Sequence, residues 1–328
     1  MTETLSKEDI AKLVEARIAE LEVSTAGETK GLVCLDYADF MKKAYPPRKM
    51  LLDPILPRQG LCMLYAPRGV GKTFVSLSIA HAVASGGSVF GRWTAPEPAR
   101  TLFIDGEMPA TTLQERLRDI SGGSLSTIMP GMLQILTPDE QEVPMPNLAT
   151  AAGQEAIEPF LEGVSFVVLD NLSTLARNGR SNDEESWLPV QSWLLSLRRR
   201  GISVLCVHHS GKGGDQRGTS AKEDVLDTVI ALRRPSDYRT EEGARFEVHF
   251  TKARGIHGTE ANPFEAVLSP DESGGLGWQT RDIEDVKMEH LQRLLAEGCS
   301  LRDAAEEMGV SKTTVSRWKK KLALQGNG

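Results

Sequence analysis

Between Leu61 and Ala84 an unbroken apolar run, Leu61 to Tyr65, is followed by a small-residue segment, Ala66 to Thr73, and then by apolar positions at helical spacing. A short apolar run bounded by turn residues predicts a strand buried on both faces, and the 3.6-residue recurrence predicts a helix packed against it. The alternation is repeated downstream. Thr101 to Ile104 reads as a strand and Leu113 to Ile120 as a helix, Phe166 to Leu169 as a strand and Trp187 to Arg200 as a helix, and Ile202 to Val207 and Val225 to Leu232 as two further strands. Strands alternating with helices predict an α/β fold around a mainly parallel sheet.

The remaining segments follow other patterns. Residues 1–30 carry Leu5, Ile10, Leu13, Val14, Ile18 and Leu21 at helical spacing and read as an arm, either for docking a subunit or partner or as a frayed terminus. The prolines of PPRKMLLDPILPRQG predict an extended lead-in to the first strand. Ser85 to Trp93 reads as a turn with a short insertion, and 130–146 as an irregular connection. Arg245 to Phe250 alternates like an antiparallel or edge strand, Phe264 to Leu268 reads as the last core strand, and the glycines of DESGGLG predict a linker over 271–285. Three helical pieces then follow over 286–328: Val286 to Glu297, Leu301 to Met308 and Ser311 to Leu322, with Ser311 as N-cap of the last. The predicted organisation is an arm over 1–30, a core over 31–270, a linker, and a small all-α domain with helix-turn-helix spacing over 286–328.

Composition changes this picture in two places. Hydrophobic residues at 40% and charged residues at 25% are ordinary for a globular protein, and no apolar stretch reaches membrane-spanning length, so a cytoplasmic location without membrane partners is expected. Cys34, Cys62, Cys206 and Cys299 form no CxxC pair and read as reduced thiols. The net charge of −7 argues against an evenly basic surface, yet Gly309 to Leu322 holds five basic residues and no acid. That local charge suits a nucleic-acid contact made by the tail.

The candidate chemistry lies at the strand ends. Ala66, Pro67, Arg68, Gly69, Val70, Gly71, Lys72, Thr73 and Phe74 join a buried strand to a helix N-terminus, where small residues let successive backbone N–H groups turn on a polyphosphate. The pattern GxxxxGK[ST] asks for Gly at 66, where the chain has Ala. In this phosphate loop Lys72 reaches the β- and γ-phosphates of ATP, and Thr73 ligates Mg²⁺. Glu107, just past a strand end, is sited as general base for the attacking water, and Asp170 ends the run VVLD as the carboxylate for the metal. His208 or His209 can sense the γ-phosphate, and no ligand pattern around the pair suits zinc. Lys212 and Arg217 in a glycine-rich loop suit a nucleic-acid backbone, as do Lys312, Thr313, Thr314 and Arg317 on the last helix.

Together APRGVGKT, FIDGE, VVLD, HHSGKGG and TKARGIHG resemble the RecA-type ATPases, and among them the DnaB-like and RepA-type hexameric replicative helicases of plasmids and phages, over roughly Leu51 to Leu268. The resemblance implies a RecA-like P-loop NTPase core, to which the helix-turn-helix is an addition. It implies that Glu107 is the catalytic glutamate, and that Lys252 and Arg254 cross to the next subunit's nucleotide. The expected function is an ATP-hydrolysing DNA motor, a homo-oligomeric, hexameric ring with single-stranded DNA in its pore and duplex DNA on the C-terminal domain. The alternatives are a recombination mediator or helicase loader of RecA type, and a DNA-binding regulator that uses ATP as a switch.

Overall fold

The computed structural model describes residues 33–122, 128–177, 184–210, 220–270 and 275–325. The chain divides into two units, Met1–Pro47 and Arg48–Gly328. In the first, Asp36 caps a short helix, Tyr37–Lys42, by accepting from the Ala38 N–H, and the Phe40 and Tyr45 rings lie 5.4 Å apart. The arm expected over 1–30 lies outside the described residues.

The second unit is built on a nine-stranded sheet. Its strands in chain order are β1 (Leu61–Ala66), β2 (Thr101–Asp105), β3 (Leu133–Leu136), β4 (Phe166–Asp170), β5 (Ser203–His209), β6 (Thr228–Arg233), β7 (Arg245–Ala253), β8 (Phe264–Pro270) and β9 (Leu276–Asp282). Their order across the sheet is β9-β8-β7-β6-β1-β5-β4-β2-β3. The pairs from β6 to β3 are parallel, and β7, β8 and β9 extend the sheet antiparallel. β1, β2 and β4 are buried along their whole length, as strands covered on both faces must be.

Helices cover both faces. The helix after the phosphate loop, α1 (Lys72–Ser85), and α2 (Ala110–Ile120) pack on one side, where Val75, Ile79 and Leu113 meet Leu64, Phe103, Val168 and Val207. On the other side Trp187, Val190, Trp193 and Leu197 of α3 (Glu184–Arg199) meet Met63, Ile104, Leu169 and Cys206. The two faces thus draw on alternate residues of each strand. At the C-terminus α4 (Ile283–Ala296), α5 (Leu301–Glu307) and α6 (Lys312–Gln325) enclose a small core of Met288, Leu291, Leu294, Ala304, Val315 and Trp318.

Several expectations are corrected. Residues 276–282 are not part of a linker: they form β9, paired with β8 from Phe264↔Asp282 to Pro270↔Leu276. Its Trp278 packs 5.0 Å from Phe90 and 5.4 Å from Phe246 and donates its indole N–H to Ser78 Oγ, 3.0 Å. Glycine-rich composition read as linker because the aromatic anchor's partners lie far away in sequence. The span 130–146 contains β3 at the sheet edge, and Ser88–Val89 pairs with Trp93–Thr94 as a small hairpin. β7 is antiparallel to both neighbours, as its alternation allowed, and lies inside the sheet rather than at its edge. The strand expected from Val225 begins at Thr228. All four cysteines are free, Cys62 and Cys206 being buried. No helix among the described residues is long and apolar enough to cross a membrane.

Candidate nucleotide site

The ends of β1, β2, β4 and β5 converge on the N-terminus of α1. Gly69 and Gly71 adopt φ of +76° and +122°, which let the loop curl before the helix begins. A Cβ on Gly71 would come within 3.0 Å of the Phe246 ring of β7, so that position is closed to side chains for lack of space as well. The Ser210 N–H donates to Ala66 O at 3.1 Å, tying the end of β5 to the start of the loop. Lys72 folds back over the loop it follows, donating to Ala66 O at 3.0 Å and Pro67 O at 2.9 Å. Burial lowers its pKa to about 8, against the pull of Asp170 and Glu107 toward the charged form. An ammonium held on loop carbonyls at the mouth of a cavity is poised to exchange them for phosphate oxygens.

Asp170 is buried at the end of β4, where it accepts from Ser76 Oγ at 2.8 Å and also from the Thr73 hydroxyl. Burial pushes its carboxyl above the usual range, and these hydroxyls and Lys72 oppose the shift. Asp105 is level with it on the neighbouring strand and accepts from the Met108 N–H at 2.8 Å. Burial, with Asp170 and Glu107 nearby, raises Asp105 to about 6. Glu107 follows on the exposed loop, and its Oε1 lies 3.9 Å from His209 Nε2. A cavity of about 560 Å³ lies between Lys72, Thr73, Glu107, Arg116, Asp170 and His209.

The cavity fits a nucleotide with magnesium. Thr73 and Asp170 supply hard oxygen donors, one hydroxyl and one carboxylate, the set a hard divalent cation takes. When bound, that cation neutralises charge on the β- and γ-phosphates. Lys72, Glu107 and His209 line the same cavity, an ammonium, a carboxylate and an imidazole around the space such a nucleotide would take.

The sequence left two histidines in play, and the sheet separates them. Leu205 and Val207 of β5 join the α1-side core, so His209 projects beside the phosphate loop. Val204 and Cys206 join the α3 side, and His208 faces that way with Lys222 as a charged neighbour. Burial drives His208 down to about 3, so it stays neutral. It is not brought to the cavity.

Lys252 and Arg254 are also apart from the chain's own site. Lys252 pairs with Val229, which pairs with Met63, three residues before Ala66. It therefore sits about 10 Å short of the loop along the strand direction and two strands aside. Lys252 Nζ donates to the carbonyls of Glu223 and Asp224, and Arg254 Nη2 to Asp224 O at 3.4 Å. Lys212 and Arg217 lie outside the described residues. On α6, Lys312, Thr313 and Arg317 are exposed, whereas the Thr314 hydroxyl is engaged with the capping Ser311 Oγ at 2.8 Å.

Three residues were missed. Ser76 is one turn after Thr73, a spacing that could have placed it on the Asp170 side of α1. Arg116 stacks over Phe74, 4.7 Å to the centroid, and its helical offset from buried Leu113 could have aimed it at the site. Arg234 donates to Gly69 O at 2.6 Å, and nothing in the local sequence announces this.

A phosphate loop between buried strand and helix, a serine-held aspartate, and one strand between the loop strand and the Asp170 strand define a P-loop ATPase core. A family model described as an AAA domain matches residues 28–215, more than half of the 328-residue chain, and the chain belongs to that family. No curated protein matches it. Among solved structures it is similar to a KaiC-like protein of the hyperthermophilic archaeon Pyrococcus horikoshii OT3, at 14% identity and a TM-score of 0.46. The match covers 70% of this chain and 93% of the other.

Proposed function

We propose that this ATPase is a motor on DNA: a homo-oligomeric ring, six subunits in the family it resembles, that holds single-stranded DNA in its pore and unwinds duplex during replication of a plasmid or phage. What supports the reading is the position of Lys252 and Arg254, off their own phosphate loop in a late strand and turn, with Arg254 exposed. A γ-phosphoryl group in transfer gains from a second cation, worth roughly 10³ to 10⁵ in rate where an arginine supplies it in trans. Cations that cannot serve their own site are available to a neighbour's, and a ring supplies neighbours. The exposed basic residues of α6, Lys312 and Arg317, suit duplex phosphates in the same reading.

The test is complementation. Arg254→Ala and Lys72→Ala chains, each inactive alone, are mixed and assayed for ATP hydrolysis with single-stranded DNA, alongside particle mass and unwinding of a forked duplex. The reading expects partial recovery in a multimer together with unwinding. Full activity in a monomer removes the ring. DNA-stimulated hydrolysis in a multimer without unwinding assigns the chain to loading or remodelling instead.

A further inference from the structure

Arg234 follows the last residue of β6, and its guanidinium is held at three backbone carbonyls. It donates to Gly69 O at 2.6 Å, Gly243 O at 3.0 Å and Arg245 O at 3.1 Å. Its Cζ stands 3.6 Å above the Tyr238 ring, and the Tyr238 hydroxyl donates to the same Gly243 O at 3.0 Å. The cation is thus held between a ring and three acceptors, with one arm on the phosphate loop.

The consequence lies in the Gly69–Val70 peptide. In a trans peptide the C=O and the following N–H point in opposite directions. Gly69 has φ of +76° and no Cβ to resist rotation, so nothing within the residue fixes which way this peptide faces. A charge-assisted bond of 2.6 Å fixes it. With its carbonyl drawn to Arg234, the peptide sends the Val70 N–H away from the guanidinium, and both Gly69 and Val70 line the cavity. A flipped peptide would instead present a carbonyl oxygen to a polyphosphate.

We propose that Arg234 is a positioning residue for nucleotide binding: it locks the Gly69–Val70 peptide with its N–H toward the phosphates, and Tyr238 holds the guanidinium in the plane that this requires. Arg234 acts through the loop and takes no part in water activation. Its loss therefore weakens affinity for ATP more than turnover. The inference rests on nucleotide binding at the phosphate loop and is independent of any action on DNA.

The experiment uses the full chain with Arg234→Gln, Arg234→Lys, Tyr238→Leu and, as reference, Lys72→Ala. Affinity for a fluorescent ATP analogue, KM and kcat for ATP, and the nucleotide-free melting midpoint are measured. Arg234→Gln is expected to raise Kd and KM about tenfold, with kcat within about twofold and the midpoint unchanged. Arg234→Lys recovers part of this, since an ammonium cannot span three carbonyls in one plane. Tyr238→Leu moves KM the same way by roughly threefold. An unchanged KM in Arg234→Gln, or a fall in kcat at constant KM, overturns the proposal. Should Arg234→Gln not fold, an unchanged KM in Tyr238→Leu overturns it equally. If Lys72→Ala binds the analogue as tightly as the parent chain, the nucleotide site itself has been misassigned and the inference falls with it.

Discussion

Glu107 Oε1 lies 3.9 Å from His209 Nε2, and the two come from the ends of strands that are not neighbours in the sheet. That separation is just beyond a direct hydrogen bond and short enough for the ring to steer either the carboxylate or a water beside it. Glu107→Gln is expected to bind ATP normally while hydrolysis falls by roughly 10² to 10⁴. His209→Ala should lower kcat by about tenfold or more, and His208→Ala, facing α3, should leave nucleotide hydrolysis far less affected. Single-turnover rates decide it: equal losses in the two histidine variants would mean that strand parity does not sort their roles.

The C-terminal helices can be removed only at the right residue. A chain ending at Ile283 keeps β9 and its Trp278 anchor, and should retain ATPase activity while losing affinity for duplex DNA. A chain ending at Pro270 loses the Trp278 contacts to Phe90, Phe246 and Ser78. Trp278 is partly buried, so losing its packing costs somewhat less than the ~3–5 kcal/mol of a fully buried aromatic. Because Phe246 packs on Gly71, this second truncation should impair nucleotide binding as well as melting temperature. Similar melting curves for the two truncations would show that β9 is dispensable.

Glu265 is buried between Arg245, 2.7 Å away, and Arg281, 2.9 Å away, and Arg281 continues to Glu289 of α4 at 2.8 Å. Removing the central acid leaves buried Arg245 with less compensation. Because Arg245 also pairs with Asp237 and Glu242, each at 3.0 Å, Glu265→Ala is expected to destabilise the fold by about 1.5–3 kcal/mol, the worth of a charge-assisted hydrogen bond. Glu289→Ala, at an exposed pair, should cost no more than about 1 kcal/mol. Urea midpoints at constant slope measure both, and a larger loss for Glu289→Ala would reverse the ranking.

Asp105 supplies a pH signature. Its carboxyl, raised to about 6 by burial, is disfavoured in the folded state once ionised. Stability associated with it is full below the unfolded carboxylate range and is lost as pH rises through 6. Asp105→Asn should therefore gain over the parent chain at pH 8, on the order of 3 kcal/mol, and gain little at pH 4. Denaturation of the nucleotide-free protein at both pH values reads the difference, and a gain larger at pH 4 would reverse the sign.

The sequence by itself determined the parts that are local. The buried strand, the glycines and Lys72-Thr73 make a phosphate loop wherever they fold, because the strand-to-helix turn and its inward N–H groups are built by consecutive residues. Asp170 and Glu107 were legible for the same reason: each follows an unbroken apolar run, and a run buried on both faces must end at the sheet's edge. What tertiary structure alone decided depends on partners distant in the chain. Which histidine faces the nucleotide follows from the parity of β5 against helices packed on either side. Residues 276–282 became a strand because Trp278 found Phe90, Phe246 and Ser78, contacts up to 200 residues apart that outweigh glycine-rich composition. Arg234 had no signal at all, since its partner, the Gly69 carbonyl, is a backbone atom 165 residues away, and a backbone acceptor leaves no trace in the identity of a side chain.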